Sequence, residues 1–97
     1  MVTATIQNEE NKKMFLIRET ALEILTKAYE KCDEKFFISK FDLLQFKEEK
    51  NDILKSLKYL AENQYIKGFG SIESLYPSMS LYITTNGINW VEDNLNK

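Results

Sequence analysis

Residues 53–68 read ILKSLKYLAENQYIKG and change from a helical to a strand pattern within one short segment. Apolar residues in the first half recur at steps of three and four, which places them on one face of a helix. They are Ile53, Leu57, Leu60 and Ala61. Residues 63–64 end that pattern, and residues 65–69 read as a strand containing glycine. A second strand at residues 81–84 and a helix from Thr85 follow. The segment therefore predicts helix, strand, loop, strand and helix in that order.

Length and composition indicate one small globular domain. The chain has 97 residues, of which 43% are hydrophobic and 29% charged, which argues against disorder. No apolar run approaches the roughly 20 residues needed to cross a bilayer. The N-terminus lacks the basic flank and apolar block of a secretory signal. These features predict a cytoplasmic protein.

The residue types that carry most enzyme chemistry are scarce. The chain contains no histidine, which removes the commonest general base and the commonest metal ligand. Cys32 is the single cysteine, so neither an internal disulfide nor a thiolate metal cage can form. Glu48, Glu49 and Asp52 form an acidic cluster without a partner base, which makes a poor catalytic site. We therefore expect no enzymatic activity, no cofactor and no bound metal.

The positive charges concentrate in the middle of the chain, although the net charge is −2. Residues 35–67 contain seven lysines and five acidic residues, whereas residues 1–34 and residues 68–97 are each net negative. This polarity is weak for a nucleic-acid-binding protein. The spacing of Asp52–Lys55 and Lys58–Glu62 would also let these residues pair on a helix, which would occupy two of the lysines.

The first half of the chain predicts a flexible N-terminal arm or short edge strand at residues 1–10 and a domain at residues 11–97. A helix is expected from about residue 11 to residue 32, because apolar residues form a stripe at helical spacing. The stripe consists of Met14, Ile17, Ala21, Leu25, Ala28 and Cys32. Phe15, Leu16 and Leu22 lie off the stripe. We favour a homodimer contact for these three residues, and packing within the chain is the alternative.

Residues 36–38 predict a short strand, after which Ser39 could cap a short helix with Asp42 at the capping-box position. Four apolar residues would pack this short helix, namely Phe41, Leu43, Leu44 and Phe46. A third helix is expected over residues 48–62 and a fourth from Thr85, its N-cap, with Ile88, Val91 and Leu95 at core spacing. Gly87, near the start of the last helix, predicts close approach to a neighbouring element.

The combined pattern resembles the winged helix-turn-helix superfamily. It reads Ile53-x-x-x-Leu57-x-x-Leu60-x-x-x-Gln64-Tyr65-Ile66, then Leu81-Tyr82-Ile83-Thr84-x-x-Gly87-x-x-x-Val91. It is particularly similar to small prophage-type YjcQ-like proteins and to PadR- and MarR-like regulators, over about residues 12–95. The resemblance implies an α+β fold with a small antiparallel sheet, ordered helix, strand, helix, helix, strand, wing, strand, helix. It also implies a homodimeric small transcriptional regulator that binds double-stranded DNA.

Carried over by position, the helix from Glu48 would be the recognition helix, and the wing would span residues 71–79. The candidate DNA-binding residues are Lys40, Lys47, Lys50, Asn51, Lys55, Lys58 and Lys67. The candidate wing contacts are Ser71, Ser74 and Tyr76. The candidate dimer-interface residues are Phe15, Leu16, Leu22 and Trp90, and packing of the Trp90 indole within the chain is the alternative.

Two departures from the superfamily pattern leave an alternative function open. Gln64 stands where the family usually has a left-handed glycine, and Asn63 could take that conformation instead. Residues 68–96 contain neither arginine nor lysine, so the wing presents no cation to DNA. The wing instead carries Ile72, Leu75, Tyr76 and Met79. The chain could therefore be a winged-helix module that binds another protein and no nucleic acid.

Overall fold

The computed structural model describes residues 2–68, 74 and 76–95, with side chains described from residue 16 onward. In this part the chain forms three α-helices and a three-stranded antiparallel sheet, which confirms the α+β class. None of these helices is both long and apolar enough to cross a membrane. The elements are α1 (Val2–Lys31), β1 (Phe37–Asp42), a 3-10 turn (Leu43–Gln45), α2 (Lys50–Glu62), β2 (Ile66–Gly68), β3 (Ser78–Ile83) and α3 (Thr85–Leu95).

The sheet has the strand order β1-β3-β2, so β3 pairs with both other strands. Buried and exposed side chains alternate along β3, because successive residues of a strand point to opposite faces. Met79, Leu81 and Ile83 join the buried core, whereas Tyr82 points to the outer face. A bulge interrupts the β1–β3 pairing between Ile38 and Phe41. One face of the sheet is therefore core, and the other faces solvent.

Helix α2 buries the face that its sequence predicted. Ile53, Leu57 and Leu60 are each no more than 1% exposed, whereas Ala61, expected on the same face, is exposed. Ser56 is also fully buried, and its Oγ donates a hydrogen bond of 2.8 Å to the Asp52 carbonyl. The same Oγ lies 3.5 Å from the carbonyl oxygen of Ile17 in α1. A small side chain at this position lets α1 and α2 pack closely.

Helix α1 is longer than predicted, because it begins at Val2. Residues 2–10 have helical backbone, so they do not form the alternative edge strand. No glycine or proline occurs among them to stop the helix. Among the side chains of α1 that the structure describes, from residue 16 onward, Ala21, Ile24, Leu25 and Ala28 are buried.

The prediction of a short helix after Ser39 was wrong. Residues 37–42 continue as β1, and only three residues, Leu43–Gln45, form a single 3-10 turn. Asp42 caps this turn, because its Oδ1 accepts a 2.9 Å hydrogen bond from the backbone N–H of Leu44. Pairing of residues 41–42 with β3 outweighs the local capping signal at Ser39. Three of the four expected packing residues are buried, and Leu44 is 62% exposed.

The C-terminus of α2 turns through a left-handed residue, and that residue is Gln64. Its φ angle is 60°, whereas Asn63, the expected substitute, has a φ of −89°. The backbone N–H of Tyr65 donates to the Leu60 carbonyl at 2.9 Å, and that of Gln64 donates to the Ala61 carbonyl at 3.0 Å. These two bonds form a Schellman motif, in which glycine is the usual left-handed residue.

The corner between β3 and α3 approaches the turn after α2 closely. Thr84, rather than Thr85, caps α3, because its Oγ1 accepts a 3.1 Å hydrogen bond from Gly87 N–H. The backbone N–H of Thr84 donates to the Tyr65 carbonyl at 3.0 Å. A Cβ atom on Gly87 would lie 2.2 Å from that same carbonyl oxygen, so only glycine fits. The close approach predicted for Gly87 is confirmed.

Replacing Gly87 with alanine should destabilise the domain by roughly 1–3 kcal/mol or more, because backbone at the corner must move to admit the new Cβ atom. Thermal unfolding followed by circular dichroism should show a Tm lower by about 10 °C. Asn89→Ala, an exposed substitution in the same helix, is the matched control and should leave Tm nearly unchanged. An unchanged Tm for Gly87→Ala would mean that α3 does not lie this close to Tyr65.

Replacing Gln64 with glycine should stabilise the protein by roughly 0.5–1 kcal/mol, because glycine adopts a positive φ without the steric cost of a Cβ atom. The urea midpoint should rise with no change in the slope of unfolding free energy against urea. Asn63→Gly provides the contrast, since Asn63 has an ordinary φ and its side-chain N–H donates to the Tyr59 carbonyl. If the two substitutions have the same effect, the turn is not left-handed at Gln64.

Candidate nucleic-acid interface

The solvent-facing side of α2 carries a polar stripe formed by Asn51, Lys55 and Lys58. These residues are separated by steps of four and three, and all three are exposed. They lie opposite the buried apolar face because 3.6 residues complete one helical turn. The arrangement places one amide and two ammonium groups on a continuous surface. We call this set the α2 stripe.

The lysines of the α2 stripe form no ion pair with any of the described residues. The possible pairs Asp52–Lys55 and Lys58–Glu62 are therefore not formed. Asp52 instead lines a cleft of about 200 Å³ between α1 and α2, together with Lys55 and Ser56. An unpaired lysine ammonium group keeps its capacity to bind a phosphate, since no carboxylate has to be displaced first.

Lys47 and Lys50 occupy different environments at the start of α2. The Nζ atom of Lys50 lies 5.2 Å from the centre of the Tyr76 ring, a cation–π contact with the segment that precedes β3. Lys47 is exposed and lies close enough to Glu23 in α1 to influence its ionisation. Lys50 thus already contacts Tyr76 of the same chain, whereas the exposed Lys47 can contact a binding partner.

Lys40 and Lys67 do not join the α2 stripe. Lys40 lies in β1 and Lys67 in β2, the two outer strands of the sheet, and both side chains are exposed. Lys67 pairs in register with Tyr82, whose side chain is on the outer face. The structure therefore separates the predicted DNA-binding lysines into one group on α2 and another on the sheet.

The residues assigned to the wing differ in exposure, and some of them lie outside the described residues. Ser71, Ile72 and Leu75 lie outside the described residues. Ser74 is exposed. Tyr76 packs against the core and Met79 is 4% exposed within β3, so neither contributes to an exposed apolar cluster. The interpretation of the wing as an apolar docking surface consequently loses two of its four residues.

The candidate dimer-interface residues also differ in exposure and in their contacts within the chain. The side chain of Phe15 lies outside the described ones, Leu16 is 59% exposed, and Leu22 is half-buried. The Trp90 indole stacks on Tyr65 of the same chain, with centroids 4.5 Å apart and planes 15° apart. Packing within the chain therefore accounts for much of the Trp90 surface. Leu16 and Leu22 remain as apolar side chains available on α1.

Leu16 and Leu22 line an open groove of about 530 Å³ along α1. Carboxylates predominate among the charged groups of this groove, which contains Glu19, Glu23, Glu30 and Glu48 beside Lys27. Oε1 of Glu48 is buried and accepts no hydrogen bond from the described residues. Negative charge is therefore concentrated next to Lys47, at one end of α2.

The carboxyl group of Glu23 has a raised pKa in these surroundings. Although the side chain as a whole is exposed, partial burial of the carboxyl group raises its pKa above the ordinary value. The neighbouring Glu48 carboxylate raises the pKa further, and the Lys47 ammonium opposes the shift.

No group of three or more acidic or cysteine side chains among the described residues is arranged to hold a metal ion.

The chain was compared with family models, with curated proteins and with solved structures, and none of the three comparisons found a match.

Two pairs of neighbouring side chains were not predicted from the sequence. One is the Glu23–Glu48 pair, whose members are 25 positions apart and meet only because α1 packs beside the segment before α2. The other is the contact between Phe37 and Tyr82, whose ring centroids are 4.6 Å apart. The alternation of apolar residues in Leu81-Tyr82-Ile83 could have indicated an outward Tyr82. No local signal indicates which residue lies opposite it.

Replacing Glu23 with glutamine should raise stability at neutral pH. Because the folded-state pKa of Glu23 is raised, its stabilising protonated form is present at acidic pH and is lost as pH rises through the folded pKa. Glutamine stays neutral and can donate its amide N–H to Glu48. Urea midpoints measured from acidic to neutral pH should therefore fall less steeply with pH than those of the wild type. Glu34→Gln, at an exposed turn position, is the control that should keep the wild-type profile.

Proposed function

We propose that the protein binds double-stranded DNA through the α2 stripe and acts as a small homodimeric transcriptional regulator. The observation that carries the proposal is the exposed set of Asn51, Lys55 and Lys58 on a helix whose opposite face is buried. An α-helix fits the major groove of B-DNA, where asparagine can bond adenine with two hydrogen bonds. The lysines supply contacts to the phosphate backbone.

The layout around α2 supports this use. Strands β2 and β3 follow α2 directly in the chain and, together with β1, which precedes α2, form a three-stranded antiparallel sheet, a layout compatible with a winged-helix-like arrangement. A single 3-10 turn, rather than a full helix, precedes α2. Recognition would therefore use α2 itself, together with Lys47 in the segment that leads into it. Lys50 is left out of the proposed DNA contact because it lies over Tyr76.

Dimerisation through α1 would place two α2 helices on one duplex. Helix α1 has 30 residues and is about 45 Å long. Leu16 and Leu22 are apolar side chains that a second copy could bury. The two α2 helices would then sit about 34 Å apart, one turn of DNA, on a two-fold operator.

Affinity for DNA would come from lysine–phosphate contacts, because the described part of α2 and its flanks contains no arginine. Selection of bound sequences from random duplexes by mobility shift, at low salt, should yield a preferred site. If Lys47, Lys55 and Lys58 each neutralise one phosphate, the log–log dependence of affinity on salt should have a slope of about −2.7 per domain. Replacing both Lys55 and Lys58 with glutamate should weaken binding by more than tenfold.

The matched control for this charge reversal is the pair Lys31→Glu and Lys35→Glu, which changes net charge equally at exposed positions outside α2. This control should retain binding within a few-fold, and circular dichroism should show that both variants are folded. Persistent binding by the Lys55/Lys58 variant, or a salt slope near zero for the wild type, would show that α2 does not contact DNA.

The second candidate function is a protein-interaction module that binds no duplex DNA. The observation that favours it is the groove on α1, where Leu16 and Leu22 are bordered by carboxylates. Such a surface is complementary to a basic amphipathic helix of another protein. Absence of any mobility shift at low salt, with a folded protein, would favour this function over the first.

A further inference from the structure

The outer face of the sheet carries a row of side chains that duplex binding through α2 does not use. Phe37 of β1 and Lys67 of β2 both pair in register with Tyr82 of β3, so the three stand side by side. Neighbouring strands lie about 4.8 Å apart, which makes the row continuous. We call these three residues the aromatic row. The exposed face of an antiparallel sheet is ordinarily polar, so two rings at its centre require an explanation.

The two rings are in contact with each other on the outer face of the sheet. Their centroids are 4.6 Å apart and their planes are inclined by 40°. Tyr82 is 41% exposed, whereas Phe37 is half-buried and supports it from the neighbouring strand. Because both rings stand on paired strands, little conformational freedom remains to be lost when a ligand stacks on them.

Exposed lysines lie on both sides of the aromatic pair. Lys67 is directly opposite Tyr82 on one flanking strand. Lys40 lies on the other flanking strand, in the bulge where Ser39 and Lys40 together face Ser80. Ser80 Oγ donates a 2.6 Å hydrogen bond to the Ser39 carbonyl, which ties the bulge to the central strand. A bulge re-aims the side chains of its strand, and here it presents an ammonium group beside the row.

The carboxylate closest along β1 is directed elsewhere. Asp42 pairs in register with Ser78, and its Oδ1 accepts a hydrogen bond from the Leu44 N–H to cap the 3-10 turn. Asp33 is also next to the row, and its Oδ1 accepts a 3.1 Å hydrogen bond from the backbone N–H of Phe37. Among the described residues, the two carboxylates nearest the row are thus both bonded to backbone N–H groups, whereas Lys40 and Lys67 form no ion pair there and can contact the phosphates of a polyanion.

We propose that the aromatic row, with Lys40, binds single-stranded nucleic acid. An unpaired base would stack on Tyr82, and the lysines would contact the phosphates on either side of it. A base inside a duplex has both faces covered by its neighbours, so only an unpaired nucleotide offers a face to the ring. Stacking on aromatic residues within a basic surface is the usual mode of binding single strands with little sequence preference.

A protein strand is the less suitable occupant. It would have to extend the sheet at one of its two edges. At β1 the bulge interrupts the hydrogen-bonding ladder and Lys40 is exposed, and β2 is short (Ile66–Gly68) with Lys67 exposed. Bulges and edge lysines are features that oppose strand addition. The site is also separate from the α2 stripe, since Lys40 and Lys67 lie on strands and not on that helix.

Fluorescence anisotropy with labelled oligothymidine and oligouridine, at low salt and with the full chain, tests the proposal. Tyr82→Ser should weaken binding about tenfold or more, the loss expected for one stacked base. Tyr82→Phe keeps the ring and should bind within about twofold of the wild type. The Lys55→Glu/Lys58→Glu variant should retain single-strand binding, so failure of duplex binding and failure of this proposal can be distinguished.

Lys67→Glu provides a second variant should Tyr82→Ser fail to fold, and it should also weaken binding. The proposal is overturned if the folded wild type binds neither oligonucleotide. It is equally overturned if Tyr82→Ser binds as well as the wild type, because lysines alone would then attract the strand. Loss of self-association in Tyr82→Ser, measured by sedimentation without oligonucleotide, would instead identify a second copy as the occupant.

Discussion

Burial of one apolar face of α2 is the constraint on which the surfaces of this protein depend. Ile53, Leu57 and Leu60 are almost completely enclosed, and exposing any one of them would cost about 1.5–3 kcal/mol. The helix therefore cannot rotate about its axis. The same burial turns Lys55 and Lys58 toward solvent, so the orientation of the candidate DNA surface follows from the core.

The turn after α2 fixes the position of the helix relative to the sheet and α3. Gln64 takes the left-handed conformation, and the carbonyl of Tyr65 then receives the backbone N–H of Thr84. The absence of a side chain at Gly87 lets α3 approach that carbonyl, and Trp90 stacks on the Tyr65 ring. Helix α2, the sheet and α3 thus meet at one closely packed corner. The sheet face and the α2 stripe are consequently fixed relative to the same core.

The charges are divided between surfaces in a way that the net charge of −2 conceals. Lysines without an ion pair among the described residues occupy α2, and others flank the aromatic pair on the sheet. Carboxylates are concentrated in the groove along α1, where partial burial and, next, the neighbouring Glu48 carboxylate raise the pKa of Glu23. A protein that is acidic overall can therefore still present basic surfaces to a polyanion.

Sequence periodicity by itself predicted a helix over residues 48–62, which the structure has at Lys50–Glu62, and the strands that follow it, and a single glycine predicted the close approach at Gly87. The helix and the strands depend on residues that are near in the chain, so a repeat of three and four residues or an alternation reveals them. The glycine indicated a close approach, but only the tertiary structure identifies its partner as the Tyr65 carbonyl. Local signals failed at residues 39–42, because pairing with β3 decided that this segment is a strand. Tertiary packing alone brought Phe37 beside Tyr82 and Glu23 beside Glu48. It also separated Lys67 from the lysines of α2, because strand register and helix packing join residues that no local pattern relates.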